Sequence, residues 1–248
     1  MLHFLGIGAQ KAGTTWLWEM LRQHPGISFP GGKEVHFWDK HRHRGIEWYR
    51  RLFDVPDGRL HGEITPAYAV LPHADIVEIH RMMPELRLII TLRNPVERAW
   101  SAAKMEIARA GGSVHEVPDE RYLREFHAPA SLVRGDYEAC IRRWRSVFPP
   151  EQLLVMRFER IAADPASFLG RCFEHLGADA TLLPRGVPVG VPVLAGPSRP
   201  IPPSLRAALH DLYFDRIRGL ADYLGEDLSE WLEDGQAHPA GGSGGQPW

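Results

Sequence analysis

Three short stretches concentrate the residues able to do chemistry. The first is Gly8-Ala9-Gln10-Lys11-Ala12-Gly13-Thr14-Thr15-Trp16. Two glycines frame a loop holding one lysine, and two hydroxyl residues follow. Glycine lets backbone approach an anion closely, and the free N–H groups of a helix start point at it. Gly8 to Gly13 has the G-x-x-x-x-G spacing of a P-loop. Thr14-Thr15, however, stand where a P-loop has Lys-Ser/Thr, and the lysine sits inside the loop at Lys11. A nucleoside triphosphatase uses the later lysine on its β/γ-phosphates and the next hydroxyl on Mg²⁺. The loop therefore predicts a cradle for a nucleotide that needs no metal-bound triphosphate. A Gly-rich turn with a solvated lysine is the plainer alternative.

The second stretch is Lys33-Glu34-Val35-His36-Phe37-Trp38-Asp39-Lys40-His41. If it is extended, Glu34, His36 and Trp38 share one face and Lys33, Val35 and Phe37 the other. A carboxylate and an imidazole on one face are two candidate general bases. A polar surface loop with Phe37 and Trp38 turned inward competes with that reading. The third stretch runs from Arg87 to Ser101. An apolar strand ends at Arg93, Asn94 can cap the next helix, and Pro95 suits its first position. Arg93 thus stands at the carboxyl end of a buried strand, where open α/β sheets bind ligands. Ser101, two helical turns on, can return toward it, and the pair could hold a second phosphate. Arg93 could equally pair with Glu97.

Strands and helices must position these residues, and the remaining chain supplies them. Helical patterns cover Gly45–Phe53, Ala74–Met83, Ser131–Phe148, Asp164–Gly177, Leu205–Leu224 and Leu228–Leu232. Strand patterns cover Ile27–Phe29, Arg59–Ile64 and Gln152–Arg157. Their alternation predicts an α/β fold: a single P-loop-like domain, residues 1–233, with a central parallel sheet flanked by helices on both faces. Residues 178–201 read as loop and 234–248 as a disordered Gly/Ser/Pro-rich tail.

The 248 residues, 44% hydrophobic and 24% charged, suffice for one large core. A net charge of -2 argues against general nucleic-acid binding, so an anion site must come from local clustering. Of 29 basic residues the lysines are Lys11, Lys33, Lys40 and Lys104, all close to the motifs. Cys140 and Cys172 sit in helical patterns as buried thiols. No apolar run is long enough to span a membrane, and the start lacks a basic signal-peptide region. The cytoplasm is the expected location.

In this order the motifs resemble the sulfotransferases that use 3′-phosphoadenosine 5′-phosphosulfate (PAPS). Gln10-Lys11-Ala12-Gly13-Thr14-Thr15-Trp16 resembles their 5′-phosphosulfate loop, and Leu92-Arg93-Asn94-Pro95 with Ser101 their 3′-phosphate motif. Lys33 to Asp39 is similar to the Lys-Glu-x-His-Phe-Phe-Asp stretch of the heparan-sulfate-type branch, with Trp38 in place of the second Phe. Gly62 to Tyr68, Gly135-Asp136-Tyr137 and the strand around Val155 extend the resemblance.

The resemblance implies in-line sulfuryl transfer to an acceptor hydroxyl, less readily an amine, with PAP (adenosine 3′,5′-bisphosphate) as by-product and no metal required. It places Gln10 to Trp16, Arg93 and Ser101 on the nucleotide, with Lys11 at the bridging oxygen of the leaving phosphate. Glu34 is the first choice of base and His36 the second, His36 alternatively orienting the acceptor with Asp39. Lys33, Trp38, Asp39, Tyr68 and Tyr137 are expected to face the acceptor. The family's C-terminal Lys-Gly-Arg-type loop is missing, and only Pro197-Ser198-Arg199-Pro200 lies in a similar place, making Ser198 and Arg199 the expected nucleotide contacts there. The acceptor is expected to be a small molecule or short glycoside and the chain a bacterial cytosolic enzyme, with no membrane or nucleic-acid partner. The rival readings are a P-loop-type kinase using ATP and Mg²⁺, and a non-catalytic nucleotide-binding protein.

Overall fold

Short apolar runs bounded by turn residues become five parallel strands. They are β1 (Phe4–Gly8), β2 (Ile27–Ser28), β3 (Leu60–Ile64), β4 (Arg87–Leu92) and β5 (Leu153–Arg157). The computed structural model describes residues 1–182 and 199–233, so Ser198 and the expected tail lie outside the described residues. The strand order is β2-β3-β1-β4-β5, with every pairing parallel. After β1 the chain fills one side of the sheet with β2 and β3, then crosses to the other with β4 and β5. The crevice beyond the carboxyl ends of β1 and β4 is therefore a topological switch point, where such sheets take ligands.

Among the described residues, ten α-helices cover the sheet. They are α1 (Thr14–Leu21), α2 (Ile46–Leu52), α3 (His73–Met82), α4 (Pro95–Arg109) and α5 (Asp119–His127), then α6 (Pro129–Gly135), α7 (Tyr137–Arg145), α8 (Glu159–Ala163), α9 (Pro165–Leu176) and α10 (Pro203–Leu224). The two-residue period of the strands sorts the core into two layers. Phe4, Ile64, Ile89 and Met156 pack with α1 and α9, whereas Leu5, Ile7, Leu88, Ile90 and Leu92 pack with α3, α4, α7 and α10. The strands are thus apolar on both faces, as a buried parallel sheet requires. Gly62 lets β3 and β1 pack closely: a Cβ there would lie 2.0 Å from the Phe4 ring.

Local chemistry sets the helix ends. The Asn94 side chain accepts the Val96 N–H at 2.9 Å, with Pro95 at the first helical position of α4. Asp164 caps α9 the same way on Ser167, and Gly177 closes that helix at φ 72. The single helix expected over Ser131–Phe148 is two. Asp136 leaves helical geometry and its carboxylate caps α7 on Ala139 at 3.1 Å, separating it from α6. Both cysteines are buried, and burial pushes the thiols up to about 11 for Cys140 and about 12 for Cys172.

Candidate active site

The predicted cradle forms at the end of β1. Gly13 ends the loop at φ 81, and the first helical turn closes with Leu17 N–H donating to Gly13 O at 3.0 Å. The N–H groups of Thr14 and Thr15 precede that bond, so the helix supplies no partner for them and they can face an anion. Phe158 and Ile161, beyond β5, wall the loop: a Cβ on Gly13 would lie 2.8 Å from each side chain. Arg93 reaches across from β4, donating to Lys11 O at 3.2 Å, with its guanidinium 4.9 Å over the Phe158 ring. Glu97 lies 3.8 Å from that guanidinium, so the expected pairing is present but loose.

Like charges meet here. Burial lowers the Lys11 pKa, and Arg93 and Arg109 lower it further. Burial, Arg93 and Lys11 likewise lower that of Lys104, with Glu97 opposing. Burial and neighbouring cations thus both disfavour the charged form of Lys11, an effect that an anion beside it would oppose. Together with the helix start, the arrangement fits a polyanion carrying more than one phosphate.

The second stretch lies beside the cradle, beyond the carboxyl end of β3. It is not extended. Glu34 and His36 have left-handed backbone, φ 61 and 55, and Phe37–His41 forms one wide π-helical turn, closed by His41 N–H donating to His36 O at 3.0 Å. Glu34 and His36 nonetheless meet, Oε2 to Nε2 at 3.3 Å. The other imidazole nitrogen lies 2.9 Å from the Asp39 carboxylate, and Lys40 Nζ is 3.4 Å from His36 Nε2. Lys33 donates to the other Glu34 oxygen. Burial pushes the Glu34 carboxyl up, but Lys33 and His36 outweigh it and leave the group below its ordinary value. It is therefore ionised at neutral pH, with 40% of its side chain open to an acceptor. Among the described residues, the non-glycine positions with left-handed backbone are Lys11, Glu34 and His36, the three expected to be catalytic. Backbone in this region is held by its surroundings and clusters at functional sites.

The family model of the sulfotransferase domain matches residues 3–228. The chain belongs to the sulfotransferase family. Human heparan sulfate glucosamine 3-O-sulfotransferase 6 is 36% identical over 179 residues, 69% of this chain and 51% of that protein. Human bifunctional heparan sulfate N-deacetylase/N-sulfotransferase 3 is 31% identical over 194 residues, 70% of this chain and 22% of that protein. The chain spans about half the length of the first of these curated relatives and less of the second. Among solved structures, a sulfotransferase from Alicyclobacillus acidocaldarius superposes with a TM-score of 0.76 at 27% identity, over 94% of this chain and 99% of that one. Mouse sulfotransferase SULT7A1 complexed with PAP shares the fold, with a TM-score of 0.58 at 15% identity over 90% and 88%.

Within this sulfotransferase fold the remaining expected site residues divide. Gln10 and Thr15 are half-buried in the loop and at the start of α1, Ser101 is half-buried on α4, and Ala12 and Thr14 are buried. Trp16 turns into the core, its ring 5.6 Å from that of Phe168. Three aromatics expected to face the acceptor are buried. Trp38 packs against Phe37 and Tyr49, Tyr68 donates to Glu63, and Tyr137 donates to Arg93 O at 2.9 Å. The Tyr68 and Tyr137 hydroxyls serve the protein interior, and burial pushes both phenols well above their ordinary value. Arg199 is held by Val114 O and, at 3.1 Å, by the Tyr122 hydroxyl. Its guanidinium lies 5.9 Å from the Trp100 ring centre, and Lys104 Nζ is 5.6 Å from the same point. In this arrangement Arg199 fastens its segment to α4 and α5 rather than extending a free cation.

Phe158 and Arg134 carry no signal in the sequence, and Lys104 stands out there only as a lysine close to the motifs. Lys104 stands three residues after Ser101 and so shares its helix face, a spacing that could have marked it. Burial lowers the Arg134 pKa, with Arg98 and Arg109 adding to the effect, while Glu106 and Asp39 oppose it; Arg134 thus sits in the field of the Asp39 carboxylate. Nothing in its sequence neighbourhood signals that.

Proposed function

We propose that this sulfotransferase transfers a sulfuryl group from PAPS to a hydroxyl of a small molecule or short glycoside. The observation that carries the reading is the gathering of three motifs at the carboxyl ends of the adjacent strands β3, β1 and β4: the first and third follow β1 and β4, and the second, which follows β2, is hydrogen-bonded to the end of β3. PAPS supplies the sulfuryl group and is released as PAP. Lys11 sits where an ammonium can neutralise charge on the leaving phosphate, and Thr14, Thr15 and the α1 N–H groups hold the 5′-phosphate. Arg93, Ser101 and Lys104 hold the 3′-phosphate. Glu34 accepts the proton of the acceptor hydroxyl. His36, fixed by Asp39, orients that hydroxyl and is the alternative base. Lys33 adds positive charge beside the reacting group. Most of the acceleration then comes from positioning and fixed charge. A saccharide is favoured over other hydroxyl compounds because relatives with similar sequence are named for heparan sulfate glucosamine. A cytoplasmic, bacterial setting belongs to the same proposal.

The test is thermal unfolding with PAP beside ATP plus Mg²⁺, followed by PAP release from PAPS across a panel of glycosides. PAP alone should raise the midpoint, and one or more glycosides should stimulate PAP release that Glu34→Gln abolishes. Stabilisation only by ATP and Mg²⁺ would replace this reading with the kinase one. PAP binding without stimulated release across the panel would favour a non-catalytic nucleotide-binding protein.

A further inference from the structure

The catalytic loop is fastened to the end of β3 at every second residue. Glu34 N–H donates to Ile64 O at 3.1 Å, His36 N–H to Thr65 Oγ1 at 3.4 Å and Trp38 N–H to the Tyr68 hydroxyl at 3.4 Å. The two side-chain acceptors are themselves donors to one carboxylate. Thr65 Oγ1 and Tyr68 OH each reach Glu63 Oε1 at 2.7 Å, and Tyr49 OH donates to Oε2. Glu63, Thr65 and Tyr68 are fully buried. A hydroxyl that donates to a carboxylate becomes a better acceptor for the next N–H, because such chains polarise one another in a low dielectric.

An apolar side chain of similar volume would fill this part of the core without the desolvation cost of a carboxylate. What it could not do is aim two hydroxyls at two backbone N–H groups. Those groups belong to His36, which is left-handed, and to Trp38, in the turn that brings Asp39 back onto the imidazole. Left-handed backbone at non-glycine residues persists only when its surroundings over-determine it.

We propose that Glu63 is a positioning residue of this active site. Through Thr65 and Tyr68 it clamps the backbone of His36 and Trp38, and so maintains the Glu34–His36–Asp39 array. The inference rests on the reading of Glu34 and His36 as the acid–base groups, but its test does not depend on the acceptor.

The experiment compares the full chain with Glu63→Gln by hydrogen exchange, by NMR of the His36 ring and by calorimetric binding of PAP. Glutamine keeps the volume and removes the charge. Exchange of the His36 and Trp38 amides should become at least tenfold faster. The NMR signals of the His36 ring should move as its backbone is released, while PAP affinity stays within about twofold of the parent value. Thr65→Val should free the His36 amide alone and Tyr68→Phe the Trp38 amide alone. These two variants leave Glu63 in place and carry the test if Glu63→Gln does not fold. Unchanged exchange at both amides, or a loss of protection extending through α1 together with PAP affinity, overturns the clamp. Failure of the parent protein to bind PAP would instead overturn the donor reading and leave the exchange result standing.

Discussion

Replacing Arg93 by Met separates binding from folding. The guanidinium touches Lys11 O at 3.2 Å, stacks 4.9 Å over Phe158 and lies 3.8 Å from Glu97. In the free protein its removal costs little. The Glu97 pair is loose and open to solvent, a class worth at most about 1 kcal/mol, and Lys11 and Lys104 lose a repelling neighbour. In the PAP complex the loss is a charge-assisted hydrogen bond, about 1.5–3 kcal/mol. Taking about 2 kcal/mol, Kd rises roughly 30-fold. PAP at about 100 times the parent Kd stabilises the parent by about 2.7 kcal/mol. At the same concentration the variant holds PAP at about three times its own Kd and gains about 0.8 kcal/mol. At about 2–4 °C per kcal/mol, the PAP-induced shift falls from about 5–11 °C to about 2–3 °C. Scanning fluorimetry with and without PAP measures both terms. An unchanged PAP shift would refute Arg93 as a phosphate ligand. A fall in the unliganded midpoint as large as the lost shift would make it a structural residue.

Lys104→Met should likewise weaken PAP by about tenfold, roughly 1.4 kcal/mol, and calorimetry at two salt concentrations should show a shallower salt dependence than the parent. Glu34→Gln should lower turnover by about 10²–10⁴ with PAP affinity unchanged, and an active variant would move the base role to His36. Gly13→Ala puts a Cβ 2.8 Å from Ile161 and Phe158 at φ +81. It should cost about 1–3 kcal/mol in urea unfolding and abolish the PAP shift, and a fully stable, PAP-binding variant would show the loop to be more pliable than drawn. The pH profile has a definite sign. Glu34 works as a base only when ionised, so turnover falls as pH drops through its folded pKa, which Lys33 and His36 hold below the ordinary value against burial. Lys33→Met should therefore move the acid limb of kcat to higher pH, and an unmoved limb would assign that limb to another group.

Much of the fold is legible in the sequence because its strands are short apolar runs and its helix starts carry their own caps. Asn94-Pro95 and Asp164-Pro165 announce α4 and α9 by chemistry confined to a few residues. The break between α6 and α7 is not announced. Helical apolar spacing runs through Asp136, and only the structure shows its carboxylate turned onto Ala139 N–H. The short α8 and the polar α5 carry too little apolar pattern to stand out. In the proposed site, residue type and spacing single out the loop and the Glu34–His36 pair, but these two residues do not meet through strand alternation. Alternation in a strand would put Glu34 and His36 on one face, whereas two left-handed residues and a π-helical turn bring them together. Trp38, Tyr68 and Tyr137 show the opposite limit. An aromatic that could line a pocket has the same letters as one that braces it, and only its hydroxyl or ring partner separates the two.

The two halves of the proposed site, donor and acceptor, are held by different means. The donor half sits on β1 and β4, the two central strands of the switch point, and on the start of α1. Its left-handed Lys11, whose charged form burial and Arg93 disfavour, is unfavourable in the free protein and is offset when negative charge enters. Binding energy from remote phosphates can thus be realised at the loop that carries the lysine. The acceptor half has no such reserve. Its array stands on one π-helical turn, and its acid is matched by Lys33 and His36 before any ligand arrives. Its order must therefore come from beneath, through backbone contacts to the end of β3. Substitutions below the loop should then alter the chemical step more than nucleotide binding, and substitutions along α4 should do the reverse.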